Sequence, residues 1–379
     1  MDFHWTKEQK ELKKKAIEFA RSSNLPDIVE LDRNSEFPRS QWRAYAEYGT
    51  HGLTVPVKYG GQDLDLLSCV AVLEGLGYGS NDSGILLSII AHIFSCIEPL
   101  MEFGSQKQQD KYLPRLASGE LVGLHAITEP GSGSDALQNM KTTSIDKGDH
   151  YLVNGGKTYI TNGDIADLLI ILLKIKESSG KDKLSCILLE KETPGFSTRK
   201  IEKMGFRTCP FAELIFENCI VPKENLLGDV GDGRNIFYHM IFKERAIVMA
   251  ANIGLMEQQL DRCVKYAKDR KQFGKPIIEF DSITNLLADM KTGLEISRLL
   301  VYKAAWLIDQ GRNDSQFSSL AKLFVSECCV KNSISAMKIH GGSGYTTDLD
   351  VERQLRDSFG GIFTSGTSEI MRKIIAGLL

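Results

Sequence analysis

Between residues 121 and 222 the chain changes texture, and that change limits the folds open to it. The apolar runs there are short and rich in β-branched residues: 142–145, 151–153, 158–161, 168–173, 184–189, 196–201 and 213–216. Turn residues separate them, among them Asn154-Gly155-Gly156 and Asn162-Gly163. Short strands at this spacing predict a small barrel or sandwich. On either side the apolar residues return at helical spacing. Before the strands, helices are expected at 7–21, 39–48, 66–77, 84–103 and 105–117. Thr6 and Gln9 form a capping box for the first, and Pro99 should kink or end the fourth. After the strands come 235–270, 281–310, 315–339 and 368–378. The reading is a mainly α, α+β chain in three parts: a helical domain over 1–120, a β domain over 121–230 and a helical bundle over 231–379. A chain of 379 residues is too long for one compact core.

Net charge is −3. With no long basic run, that gives no case for nucleic acid or an anionic membrane. The longest apolar run, 85–97, is broken by Ser88, His92 and Ser95 and is too short to span a bilayer. The first residues lack the basic and apolar regions of a signal peptide, so a cytoplasmic protein is expected. The eight cysteines form no CxxC pair and read as buried free thiols, with Cys328-Cys329 in the core. The histidines show no metal-ligand spacing, and no metal site is expected.

Six short stretches carry the polar chemistry. Residues 126–135 (Ala-Ile-Thr-Glu-Pro-Gly-Ser-Gly-Ser-Asp) form a Gly/Ser loop able to approach a ligand closely. Tyr159 and Thr161 lie two apart on one strand. Residues 269–276 form a basic and aromatic helix end. His340, Gly341 and Gly342 open a glycine-rich segment, followed by Arg353, Arg356 and Asp357. Thr364 to Ile370 is rich in hydroxyls. Finally, 242–246 reads Phe-Lys-Glu-Arg-Ala inside the helix expected at 235–270. A carboxylate on that helix beside Ile241, Ile247 and Val248 loses hydration, which makes it a stronger base. The competing reading is an exposed acid between Lys243 and Arg245. Arg356 and Asp357 read as a structural ion pair, and His125 and His340 as satisfied structural histidines.

In this order and spacing the stretches resemble the acyl-CoA dehydrogenase superfamily over nearly the whole chain. The resemblance implies an N-terminal helical domain, a central β-barrel domain and a C-terminal four-helix bundle, with FAD as cofactor. It implies that Ile127, Thr128, Gly133 and Ser134 contact the flavin, that Tyr159 lies beside its ring and that Thr161 lies near N5. Arg270, Gln272 and Phe273 would be offered by a neighbouring subunit to the FAD pyrophosphate and adenine side, with Gly341 and Gly342 across the same interface. Thr367 and Glu369 match residues near the adenosine. Lys338 replaces a common glutamine, either near the FAD phosphate or facing solvent. Sharing FAD between subunits implies an oligomer, most often a tetramer.

Most of the family places its catalytic glutamate where this chain has Ser365. A minority, isovaleryl-CoA dehydrogenases among them, carries it on the bundle helix as Glu-Arg, where Glu244-Arg245 stands. The resemblance therefore implies Glu244 as base, with Arg245 and Ser365 at the substrate. Glu-Arg-Ala, Cys209-Pro210 and Phe-Thr-Ser-Gly-Thr-Ser look most like the prolyl-carrier-protein dehydrogenase and oxidase branch. That branch acts on L-proline held by phosphopantetheine on an acyl or peptidyl carrier protein, in natural-product pathways that include alkaloid toxins. The alternatives are a short- or branched-chain acyl-CoA dehydrogenase of the isovaleryl type and a non-catalytic flavoprotein scaffold.

Overall fold

The computed structural model describes residues 5–25, 27–176, 181–312 and 314–379. The first segment carries helices α1 (Lys7–Ser22), α2 (Ile28–Asn34), α3 (Arg39–Glu47), α4 (Leu66–Gly79), α5 (Ser83–Ala91), α6 (Glu98–Phe103) and α7 (Gln106–Ala117). The capping box is present: Thr6 Oγ1 accepts from Gln9 N and Gln9 Oε1 accepts from Thr6 N, each at 3.1 Å. That satisfies two backbone donors that α1 would otherwise leave unpaired. Helix α4 is apolar almost all round because it is the central helix of the packing, with α1 on one side and a later bundle helix on another. A Cβ on Gly77 would sit 1.9 Å from the carbonyl oxygen of Ala251, so only glycine permits that approach. Between α5 and α6 the chain runs through a π-helical stretch, His92–Ile97, without leaving the helical path. Pro99 therefore does not end the helix. It falls at the start of α6, directly after the π-helical stretch. The continuous helical path, Ser83–Phe103, is long and apolar enough to cross a membrane, longer than the sequence run suggested. Here 78% of its most apolar window is buried inside the protein.

The middle segment holds β1 (Gly123–Ala126), α8 (Ala136–Asn139), β2 (Thr143–Asp146), β3 (His150–Thr161), β4 (Leu168–Lys176), β5 (Lys183–Glu190), β6 (Phe196–Lys200), β7 (Phe211–Pro222) and β8 (Leu226–Leu227). They form one sheet in the order β6-β7-β3-β2-β4-β5-β8, with β1 parallel to β4 beside β2. Alternate residues of β4 and β5 face opposite ways. Leu169, Ile171, Leu173, Ile187 and Leu189 meet Val153, Leu214 and Phe216 in the sheet's own interior. Leu168, Ile170, Leu172 and Leu188 pack outward on Ile97, Leu100, Leu113 and Leu116. The expected turn at Asn154-Gly155-Gly156 is instead the middle of β3. Gly155, at φ +138°, lies opposite Phe216, and a Cβ there would come within 2.7 Å of Thr142 Cα. The glycines mark a bulge and a close strand approach, not a reversal.

The last segment contains α9 (Gly233–Ile247), α10 (Ala250–Asp269), the hairpin β9 (Lys271–Gln272) and β10 (Lys275–Pro276), α11 (Asp281–Asp309), α12 (Ser315–His340), α13 (Gly342–Tyr345), α14 (Val351–Gly360) and α15 (Ser368–Ala376). The single helix expected at 235–270 is thus two, broken at Val248-Met249 just past Glu244. No proline or glycine stands at the break, so local sequence does not announce it. Helices α9 to α12 pack on one another as the bundle. Their core is continuous with that of α1, α4 and α5, so the first and last segments share one apolar interior.

Candidate active site

Glu244, near the end of α9, is buried. The exposed-acid reading fails, and Lys243 turns away to Glu98 at 2.6 Å. Two hydroxyls from distant segments hold the Glu244 carboxylate. Ser95 Oγ, from the π-helical stretch, donates to Oε2 at 3.2 Å, and Ser365 Oγ donates to Oε1. Burial raises the Glu244 pKa, while the Ser365 and Ser95 bonds and nearby Arg245 partly oppose the rise. Arg245 does not clamp the carboxylate. Its Nε donates to the carbonyl of Ser365 at 2.9 Å, and Lys322 Nζ donates to the carbonyl of Gly366 at 2.6 Å. These two cations hold Ser365 and Gly366 in the left-handed region, at φ +55° and +100°. Burial pushes Arg245 down to about 10 and Lys322 down to about 8. Thr367 Oγ1 caps α15 by accepting from Ile370 N at 3.3 Å, which starts the helix immediately after this loop. Glu369 in its first turn is exposed.

A second group of expected site residues gathers at the end of β1 and on β3. Thr158 N donates to Thr128 O at 2.9 Å, joining the loop after β1 to β3. Gly133 lies beside Thr128, since a Cβ on it would meet only Thr128 Cγ2, at 4.0 Å. Ser134 follows and is exposed. Beneath the loop Lys157 is fully buried. Its Nζ donates to Ile127 O at 3.0 Å and to Glu129 Oε1 at 2.9 Å. Glu129 also accepts from Lys141 N at 2.6 Å and Thr142 N at 2.9 Å. On β3 the register against β7 shifts between Lys157 and Ile160. This bulge turns Tyr159 outward at φ +60°, 61% exposed, with Thr161 two residues on.

A third group lies at the ends of two bundle helices. Arg270, Gln272 and Phe273 follow α10, and Lys338, Gly341 and Gly342 lie at and just beyond the end of α12. The two ends touch through Tyr266 and His340, whose rings are 4.3 Å apart. Phe273 forms the tip of the β9–β10 hairpin at φ +49° and is 94% exposed. Non-glycine residues in the left-handed region are uncommon and cluster at functional positions. Here Tyr159, Phe273 and Ser365 are all of that kind.

Three family models match in series: the acyl-CoA dehydrogenase N-terminal domain over 6–120, the middle domain over 125–219 and the C-terminal domain over 231–379. The chain belongs to the acyl-CoA dehydrogenase family. Among solved structures of this family, the prolyl acyl carrier protein oxidase AnaB is 42% identical over 99% of both chains, with a TM-score of 0.96. PigA, solved with FAD and proline, is 34% identical over 100% of this chain and 99% of its own, with a TM-score of 0.95. The mitochondrial isovaleryl-CoA dehydrogenase of Oryza sativa subsp. japonica is 38% identical over 97% of this chain and 90% of its own.

The acyl-CoA dehydrogenase fold implies FAD, and the residues present fit it. Tyr159 offers an exposed ring on β3, one residue past Thr158, whose N–H bonds Thr128 O, and two before Thr161. Behind that loop His125 is buried with no partner on either ring nitrogen among the described residues, and burial beside Lys157 pushes it down to about 3. His125 is thus not the satisfied structural histidine expected, whereas His340 is, bonding Ala336 O at 2.9 Å. Arg356 pairs with Asp32 and Glu352, each at 2.7 Å, not with Asp357. Asp357 instead accepts from Ser83 Oγ and Phe206 N. Every cysteine is free and buried, Cys328 and Cys329 in the shared helical core. Sequence reasoning missed Ser95, Lys157 and Lys322. Ser95 left a trace as a polar residue inside an apolar run, and Lys157 stood in a recognised stretch without a role. Nothing signalled Lys322.

Proposed function

We propose that this protein is an FAD-dependent dehydrogenase or oxidase of an L-prolyl thioester carried on the phosphopantetheine arm of a carrier protein, with Glu244 as the base. One observation carries the assignment of the base: Glu244 is a buried carboxylate held by two hydroxyls, and the family's more common base position is occupied by one of them, Ser365. A thioester carbonyl acidifies the hydrogen on Cα. Burial makes Glu244 a stronger base toward that proton, while the serine hydroxyls and Arg245 partly oppose the rise in its pKa. Arg245 and Lys322 fix the backbone that presents Ser365, so the acceptor oxygens are oriented before substrate arrives.

FAD, when bound, supplies a two-electron acceptor for the hydride that leaves with the proton. Ile127, Thr128, Gly133, Ser134, Tyr159 and Thr161 would hold its ring side, with Thr367 and Glu369 toward the adenosine. Arg270, Gln272, Phe273, Lys338, Gly341 and Gly342 would serve the FAD of a neighbouring subunit. Exposed Phe273, and Leu299 and Trp306 on α11, suit burial against other copies of the chain, in a homotetramer. Eight buried free thiols suit a reducing cytoplasm.

AnaB and PigA support the prolyl reading, and a prolyl group held on a carrier protein suits a place in natural-product biosynthesis. The isovaleryl relative supports a branched acyl-CoA as the alternative substrate, and overall identity does not separate the two. The test is anaerobic mixing of the FAD-loaded protein with L-prolyl carrier protein and, separately, with isovaleryl-CoA. Bleaching of the visible flavin band by the prolyl carrier alone is expected. Bleaching by isovaleryl-CoA alone would assign the chain to branched-chain acyl oxidation, and bleaching by neither would favour a scaffold.

A further inference from the structure

Three polar residues interrupt the apolar run 85–97: Ser88, His92 and Ser95. Two of them serve the framework. Ser88 Oγ donates to Asn162 Oδ1, and its carbonyl accepts from Asn162 Nδ2 at 3.0 Å. His92 Nδ1 accepts from Gly123 N at 2.9 Å, and Nε2 lies 3.0 Å from Leu116 O. Only Ser95 turns toward the base. It does so from the π-helical stretch, whose wider turn shifts every later side chain around the helix axis relative to α5. Single π turns inside α-helices are rare and concentrate at functional sites. Ser95 and Ser365 thus reach the two oxygens of one carboxylate from segments 270 residues apart.

We infer that Ser95, together with Ser365, recognises the secondary amine of the substrate and so selects an α-amino acyl thioester over a plain acyl thioester. This rests on the reading of Glu244 as base. The carbon that loses its proton must lie against the Glu244 carboxylate, and in a prolyl group the ring nitrogen is one bond from that carbon. A hydroxyl already bonded to the carboxylate is therefore within reach of the amine. Each serine hydroxyl has one hydrogen and two lone pairs. Its hydrogen goes to Glu244, which leaves lone pairs able to accept the amine N–H. A substrate without that N–H leaves the lone pairs of buried Ser95 and half-buried Ser365 with nothing to bind. A pocket built to bond a substrate N–H rejects the analogue lacking it far more strongly than an apolar pocket rejects a missing methylene.

The test compares L-prolyl carrier protein with cyclopentanecarbonyl carrier protein, which has the same ring size and no nitrogen. Wild type, Ser95→Ala and Ser95→Thr are loaded with FAD, and two quantities are measured. One is the anaerobic rate of flavin reduction by each thioester. The other is the affinity, by calorimetry, for amide-linked versions of both groups, which do not react. Wild type should prefer the prolyl group by at least about tenfold in both. Ser95→Ala should lose most of that preference by weakening prolyl binding far more than cyclopentanecarbonyl binding, and Ser95→Thr should restore it. Equal effects of Ser95→Ala on both ligands, or on neither, would overturn the inference while leaving Glu244 as base. A wild type reduced by isovaleryl-CoA and not by the prolyl carrier would overturn the functional reading, and the amine-recognition role with it.

Discussion

Lys157→Met should loosen the loop that the flavin-facing residues share, without unfolding the chain. The Lys157 ammonium is fully buried and makes two bonds, to Ile127 O at 3.0 Å and to Glu129 Oε1 at 2.9 Å. Methionine fills the space but leaves the Ile127 carbonyl unpaired and Glu129 without its cation. Breaking a buried pair from one side costs about 3–5 kcal/mol. Glu129 keeps its backbone donors at Lys141 and Thr142, so the low end, about 3 kcal/mol, is expected. Amide hydrogen exchange at Thr158 reads this locally, because that N–H bridges to Thr128 O. A loss of about 3 kcal/mol speeds its exchange roughly a hundredfold. Lys157→Met combined with Glu129→Gln should recover part of the loss, since no charge is then left unpaired. Thr158 exchange within threefold of wild type in Lys157→Met, with the fold intact, would refute the reasoning.

Four further outcomes follow from the same geometry. Because burial raises the Glu244 pKa, flavin reduction should rise with pH through a titration above the ordinary carboxylate range; a titration no higher than that of an ordinary carboxylate would count against it. Ser365→Gly removes a donor to Glu244 while tolerating φ +55°, so that titration should move to still higher pH. Arg245→Lys loses the Nε bond to the Ser365 carbonyl and should slow reduction about tenfold with little change in FAD content. Phe273→Ala removes an exposed hairpin-tip ring, and should lower FAD retention on gel filtration while the isolated subunit's thermal midpoint stays within a few degrees.

The helix–sheet–helix order was legible because periodicity changes from helical to alternating and back within one chain. The start of α1 was legible because Thr6 and Gln9 are a local device that needs no tertiary partner. The break at Val248-Met249 was not, since it uses ordinary helix residues and is set by how α9 and α10 pack. The π-helical stretch was equally hidden: its residues are those of any buried helix. Strand β3 was read as two because Asn154-Gly155-Gly156 has turn composition, while the glycines in fact permit close approach to Thr142. At the site, Glu244 was found by resemblance and by its apolar neighbours. Its partners Ser95 and Ser365 meet only through the fold, and nothing in spacing relates residues so far apart.

The measurement that bears most directly on Glu244 is stopped-flow flavin reduction of wild type and Glu244→Gln, each loaded with FAD, on anaerobic mixing with L-prolyl carrier protein. Wild type should bleach its visible flavin band. The variant should hold FAD with an unchanged spectrum and reduce it about 10²–10⁴-fold more slowly, the usual contribution of a general base. A variant that bleaches at close to the wild-type rate would contradict the assignment of Glu244 as the residue that takes the Cα proton.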